Sequence, residues 1–254
     1  MSEILTDKEN SILTITLNRP EKRNALNGDL IGALKNALLE ADKDESLCAV
    51  IIKGAGKDFC SGADLAELQK ITENTFEENL ADAENLAELF ALIRKVNIPV
   101  VAAVHGKALA GGCGLATACD IVLAARSARF GYPEVKIGFV PAMVAAILRR
   151  NLSEKRAFEL LTQGLDFPSE EAMRIGLINA VFDDETFEEE VKNHCSVYER
   201  VSRSAVILSK KLLYQMDGMN FETALKTGAE ANAQARQTED CRKGIAKFLE
   251  KKSQ

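Results

Sequence analysis

The sequence predicts an α/β protein: short buried strands alternate with amphipathic helices over residues 1–200, and a helical region follows over residues 201–254. Three observations carry this expectation. Apolar runs of strand length recur at residues 11–17, 47–52, 98–104, 121–125 and 178–182. Between them, residues 29–41, 76–96 and 153–163 place apolar side chains at three- and four-residue spacing. Beyond residue 200, the stretches 205–216, 221–235 and 238–251 keep only the helical spacing, with Gly218 and Gly228 as interruptions.

In chain order, the strand at 11–17 runs into Asn18-Arg-Pro-Glu-Lys-Arg-Asn-Ala-Leu26 and then into the helix at 29–41. The strand at 47–52 opens onto a glycine turn, Lys57-Asp-Phe-Cys-Ser-Gly-Ala-Asp-Leu65, which leads into a helix-like stretch. After the helix at 76–96 comes the apolar run Ile98-Pro-Val-Val-Ala-Ala-Val104. A second glycine turn follows it, Gly106-Lys-Ala-Leu-Ala-Gly-Gly-Cys-Gly114, and again a helix begins. Such a turn leaves backbone N–H groups unpaired and aimed at one point, where the helix dipole favours negative charge. Gly111 and Gly112 have no Cβ, so another molecule can approach the backbone closely. Two strand–turn–helix units can each donate one N–H to the same oxygen, which is how an oxyanion hole is built. The strand at 121–125 leads to Phe130-Gly-Tyr-Pro-Glu134. That rigid apolar approach partly desolvates Glu134 and raises its pKa. Glu134 equally suits the first turn of a helix after proline.

Several function classes are excluded. Neither Gly111 nor Gly112 is followed by the lysine and hydroxyl of a nucleotide P-loop, and the third glycine of a dinucleotide fingerprint is replaced by Thr117 after Gly112-Cys-Gly114 and by Phe59 after Gly54-Ala-Gly56. Of the two histidines, His105 follows a buried strand and reads as a satisfied structural residue. His194 sits in a polar segment and reads as a solvated helix face. Neither stands near a G-x-S-x-G elbow, so a hydrolase is not expected. Six cysteines at 48, 60, 113, 119, 195 and 241 form no C-x-x-C pair, so no disulfide framework or zinc site is expected. With 46% hydrophobic and 28% charged residues the composition suits a globular protein that buries a core. A net charge of −6 without a long basic block argues against nucleic acid as a partner. No apolar run approaches membrane-span length, and the start carries no basic, apolar signal, so a cytoplasmic setting is expected.

Four of these segments, in this order, resemble motifs of the enoyl-CoA hydratase/isomerase (crotonase) superfamily. Phe59-Cys-Ser-Gly-Ala-Asp64 resembles its F-x-x-G-A-D turn, and His105 to Leu115, with Cys119-Asp120-Ile121 after it, looks like its second turn. Asn18 to Leu26 resembles its CoA-contacting segment and Phe130-Gly-Tyr-Pro-Glu-Val135 its acid/base segment; the likeness continues through residues 164–179 and 244–250. The resemblance implies a spiral of ββα units with a C-terminal helical region that builds a homotrimer or a dimer of trimers. It implies an acyl-CoA thioester as substrate, with its oxygen held by the amides of Ala63 and Gly111 and a proton moved by Glu134. It places CoA along Lys22, Arg23, Ala25, Leu26, Ser61, Asp64 and Leu65, beside Gly112 and Gly114. Phe248 and Lys251 of the last helix would close the pocket from the same or a neighbouring subunit. Lys22, Arg23 and Lys251 would supply charge for the phosphates, and Asp120 is read as structural. No metal or redox cofactor is implied; CoA is part of the substrate.

One departure bears on the reaction. Many hydratases of the superfamily carry a second glutamate directly after the G-G-C turn, and here that place is Gly114. The frequent P-G-x-G-G stretch is replaced by Phe139-Val-Pro-Ala-Met-Val144. The segment Glu134-Val-Lys-Ile-Gly-Phe-Val-Pro-Ala142 is more similar to the bacterial methylglutaconyl-CoA hydratase branch. The resemblance therefore implies a hydratase that adds or removes water across a short, branched or straight, 2-enoyl-CoA. A Δ3,Δ2-enoyl-CoA isomerase using one glutamate and a non-catalytic acyl-CoA-binding relative stand as the alternatives.

Overall fold

Strands that are apolar on both faces pair in parallel beneath helices, and the chain follows that rule through most of its length. The computed structural model describes residues 2–252, without the side chains of Leu65, Ala66, Lys251 and Lys252. The first third holds β1 (Ile4–Glu9), β2 (Ile12–Leu17), α1 (Gly28–Lys43), β3 (Ala49–Gly54), α2 (Leu65–Ile71) and α3 (Phe76–Lys95). The middle holds β4 (Val100–Val104), β5 (Lys107–Leu109), α4 (Gly111–Ala118), β6 (Ile121–Ala125), β7 (Arg129–Gly131), α5 (Ala142–Asn151) and α6 (Glu154–Gln163). Then come β8 (Asp166–Pro168), α7 (Ser169–Arg174), β9 (Ala180–Phe182), α8 (Phe187–Ser196), α9 (Arg203–Gln215), α10 (Phe221–Gln237) and α11 (Glu239–Lys252).

A six-stranded sheet runs β1-β2-β3-β4-β6-β9, and a three-stranded sheet runs β5-β7-β8. Only the β1–β2 pair of the larger sheet is antiparallel. The chain winds between the two sheets. Strand β4 leaves the large sheet, turns at His105 and Gly106, and enters the small sheet as β5 before α4; β6 does the same into β7. The segment after β3 follows the same course, since Cys60 bridges Ala108 of β5 ahead of α2. Each turn of the spiral is thus a ββα unit, the predicted class. Gly106 makes the crossing with φ +57, and a Cβ there would lie 2.0 Å from the Lys57 carbonyl oxygen.

Local signals explain the helix starts. The Asn27 side chain accepts from Leu30 N ahead of α1, and Thr75 and Glu78 form a reciprocal capping box on α3. The core sits between helices and sheet: every residue of β4 is buried, and Leu30, Leu34 and Leu38 of α1 and Leu89 and Ile93 of α3 are fully buried. Five of the six cysteines are buried and all six are free thiols, with Cys60, Cys113 and Cys119 packed as small apolar groups.

The structure departs from expectation in places. Strand β1 is not among the predicted strands because Thr6, Asp7, Lys8 and Glu9 give it an exposed, polar edge. The three-residue strands β5, β7 and β8 are too short for any periodicity to register. Helix α5, whose Ala142–Asn151 run has helical spacing, is likewise absent from the expected elements. Gly218 does end a segment, with φ +80 between α9 and α10, but Gly228 lies inside α10 and interrupts nothing.

Candidate active site

The first glycine turn is held by a single-residue bridge. Leu26 pairs with Ala63 in parallel: Leu26 N donates to the Gly62 carbonyl and Asp64 N donates to the Leu26 carbonyl. Pairing on both sides of Ala63 uses its neighbours' groups and turns its own N–H away from Leu26. Among the described residues, the Ala63 amide donates to no carbonyl. Gly62 adopts φ +98, and a methyl built on it would lie 2.8 Å from the Ala110 methyl and 3.7 Å from the Gly111 nitrogen. The two glycine turns therefore touch, and no larger residue fits between them.

The second turn is strained. Ala110 adopts φ 50 and ψ −128, a region that a residue with a Cβ enters at a cost of about 1–3 kcal/mol. Its N–H donates to the Gly131 carbonyl and its carbonyl accepts from Gly114 N, so both sides of the residue are fixed. The twist starts α4 at Gly111 and leaves the Gly111 N–H at the first helical position, without an intrahelical acceptor. Sequence reasoning found Gly111 but had no signal for Ala110, because alanine does not advertise a positive φ.

Ala63, Gly111 and Glu134 line one cavity of about 510 Å³, together with Leu26, Ser61, Ala110, Leu86, Phe90 and Val144. Glu134 stands in a 3-10 turn, Pro133–Ile137, rather than in the first turn of an α-helix. Phe130 and Tyr132, both fully buried, anchor the approach to it. The turn closes when Gly138, at φ +76, donates back to the Val135 carbonyl. The Glu134 Oε2 atom is buried and accepts no hydrogen bond from any described residue. Burial pushes its carboxyl above the usual glutamate range, and a backbone hydrogen bond opposes this more weakly. A half-buried carboxyl with an unused oxygen, in one apolar cavity with two unpaired amides, is equipped to move a proton beside an oxygen that becomes negative.

The other expected residues divide. Leu26 and Ser61 line this cavity. Ala25 is buried, and its carbonyl is taken by Arg19 Nη1 at 2.6 Å. Lys22 and Arg23 are exposed on the neighbouring surface, with Arg23 Nε 4.0 Å from Asp58. Asp64 turns its carboxylate to Arg19 at 2.8 Å, away from the cavity. Gly112 and Gly114 lie behind the wall. A Cβ on Gly112 would sit 2.3 Å from the Cys60 carbonyl, and one on Gly114 would sit 2.9 Å from the Phe90 ring. Phe248 is 58% exposed on α11 and is absent from the cavity lining. The side chains of Leu65 and Lys251 lie outside the described residues. Glu67, Asp82 and Lys136, which sequence reasoning missed, also line the cavity. Burial first and the neighbouring Glu67 second push the Asp82 carboxyl up.

A spiral of ββα units that brings two amides and one carboxyl to a common cavity defines a class of enzyme, and comparison with known proteins gives its family. The model of the enoyl-CoA hydratase/isomerase family matches residues 7–254, and the chain belongs to that family. A Thermus thermophilus protein assigned by name to the enoyl-CoA hydratases is 40% identical, over 95% of this chain and 95% of its own. The 2,3-dehydroadipyl-CoA hydratase of Escherichia coli is 34% identical over 100% of this chain and 98% of its own. The crystal structure of a Mycobacterium smegmatis enoyl-CoA hydratase superposes with a TM-score of 0.94 at 32% identity, covering 98% of this chain and 96% of that one.

Proposed function

We propose that this enzyme hydrates a short 2-enoyl-CoA, or dehydrates the corresponding 3-hydroxyacyl-CoA. The observation that carries the reading is the unused, buried Oε2 of Glu134 in one cavity with the Ala63 and Gly111 amides. In this scheme the two amides hold the thioester oxygen, each donor contributing roughly 3 kcal/mol to the transition state. Water bonds to C3 as one of its protons passes to Glu134, and Glu134 then delivers a proton to C2 as the enolate collapses. The carboxylate ends as it began, so one glutamate serves. The scheme needs no metal or redox group, and coenzyme A enters as the handle of the substrate. Two carboxyls, Glu67 and Asp82 on the α2 and α3 side of the cavity, against one ammonium, Lys136, favour a neutral acyl chain over one ending in a carboxylate. A cytoplasmic trimer or dimer of trimers belongs to the same reading, supported by the apolar side chains that the C-terminal helices expose.

One observation favours a second reading, double-bond isomerisation. Gly114 offers no carboxylate, and Phe90 and Val144 fill the space a side chain there would enter. Isomerisation needs only one proton carried between carbons. Incubation in ¹⁸O-labelled water separates the two readings. The hydratase reading expects label in the 3-hydroxyacyl product from crotonyl-CoA, at a higher rate than from a dicarboxylic enoyl-CoA. Conversion of 3-hexenoyl-CoA to its 2-enoyl isomer, with no label entering crotonyl-CoA, would replace it with the isomerase.

A further inference from the structure

One guanidinium grips both sides of the bridge that presents the Ala63 amide. Arg19 follows β2, and its side chain is 13% exposed. Its Nη1 donates to the Ala25 carbonyl at 2.6 Å and its Nη2 to the Asp64 carboxylate at 2.8 Å. Its Nε lies 3.0 Å from the Glu3 carboxylate. Ala25 immediately precedes Leu26, and Asp64 immediately follows Ala63, the two residues of the bridge. The clamp is itself anchored. Arg19 N donates to the Asn24 side chain, and Asn24, fully buried at φ 54, donates from Nδ2 to the carbonyls of Ala55 and Asp58. Arg19 does not line the cavity that holds Ala63, Gly111 and Glu134.

We propose that Arg19 is a positioning residue for the oxyanion hole: by tying the Ala25 carbonyl to the Asp64 carboxylate it fixes where the Ala63 amide points. The inference rests on the reading that this amide holds the thioester oxygen. The chemistry of the side chain suits the task, because a planar fork of N–H donors satisfies two acceptors in set directions and an ammonium does not. A pair this buried is weak evidence for stability and better evidence for a fixed geometry. The Gly111 amide has its own fixing, through Ala110 and the Gly131 carbonyl, and is independent of Arg19.

The test uses the double variant Arg19→Met/Asp64→Asn in a Glu3→Gln background, so that no charge of the cluster is left buried alone. The probe is 2,4-hexadienoyl-CoA, whose absorption moves to longer wavelength when hydrogen bonds polarise its thioester carbonyl. With a misplaced amide, turnover falls about 10- to 100-fold while KM stays within about threefold. The absorption shift of the bound probe drops below half that of the unaltered protein. If the double variant does not fold, Arg19→Lys, which keeps the charge and loses the fork, is read by the same shift. A folded variant that keeps the full shift overturns the proposal, and so does a loss of turnover matched by an equal rise in KM. An unaltered protein that shows no shift at all overturns this proposal together with the reading it rests on.

Discussion

A carboxyl half-buried behind Pro133, with one oxygen out of reach of any described donor, holds its proton more tightly when the chain is folded than when it is unfolded. Folding is then favoured below the ordinary glutamate pKa, and that contribution is lost as pH rises through the raised pKa of Glu134. At neutral pH the ionised carboxylate costs stability, so Glu134→Gln raises Tm at pH 7 while lowering turnover by about 10²-fold or more. Calorimetry and steady-state kinetics on the same preparation check both signs. Because the scheme starts from the carboxylate, kcat/KM falls on the acid side with a limb above the ordinary glutamate value of ~4.3. A limb at the ordinary value counts against Glu134 as the base. In the sequence the Phe130-Gly-Tyr-Pro133 approach left Glu134 equally suited to a helix start, and only the likeness of Phe130–Val135 to the family's acid/base segment singled it out. Ala110 was not legible, since its strain comes from being pinned between the Gly131 carbonyl and the Gly114 amide. Gly114 was legible as a missing carboxylate, but its neighbours were not: it is helical, and Phe90 sets the limit on any side chain there.

Helix α9 is joined to the core by a polar knot around Lys210, besides the bond from Arg203 Nε to the Leu47 carbonyl. Lys210, 8% exposed, donates to Asp120 at 2.6 Å and to the carbonyls of Ile93 and Ile98. Asp120 also accepts from Val100 N and from the Tyr214 hydroxyl, whose ring lies under the Arg94 guanidinium. The three Lys210 donors and both Asp120 oxygens thus find partners, on α3, β4, α9 and the segment before β4. Lys210→Met strands the Asp120 charge, with an expected loss of about 3–5 kcal/mol in urea unfolding. A loss below about 1 kcal/mol would show that water compensates Asp120. The sequence marked Asp120 as structural from its place after a helix. It could not supply Lys210, which is ninety positions away and stands beside Lys211 on an ordinary-looking helix. Buried strands such as β3, β4 and even the three-residue β9 announced themselves through apolar runs, whereas β5, β7 and β8 are defined only by the sheet they join.

Across the whole molecule, the apolar core ends before the helical region begins. The apolar core reaches Cys195, and no residue from 242 to 250 is even partly buried. Meanwhile Leu213, Phe221, Leu225 and Ile245 are each more than half exposed. A region built this way is expected to find its apolar partners on other copies of the chain. Light scattering should give a mass of three or six chains. Deleting residues 244–254 should then raise KM for CoA esters about tenfold or more, through lost phosphate contacts, while leaving the unfolding midpoint almost unchanged. Unchanged KM would remove α11 from the binding surface. The sequence reading set a division near residue 200 because apolar runs of strand length stop before it; among the described residues the last strand, β9, ends at Phe182 and only helices follow.

The packed thiols of the fold make the protein a reporter of its own opening. Burial pushes Cys60, Cys113 and Cys195 up to about 12, so at pH 7 each is held as the thiol, and none is accessible. Cys241 alone is partly exposed. Iodoacetamide should therefore add one label quickly and the remaining five only as fast as the molecule unfolds. Mass spectrometry of the slow phase would then measure the rate at which Cys60 and Cys113, one in each of the two glycine turns, come into contact with water.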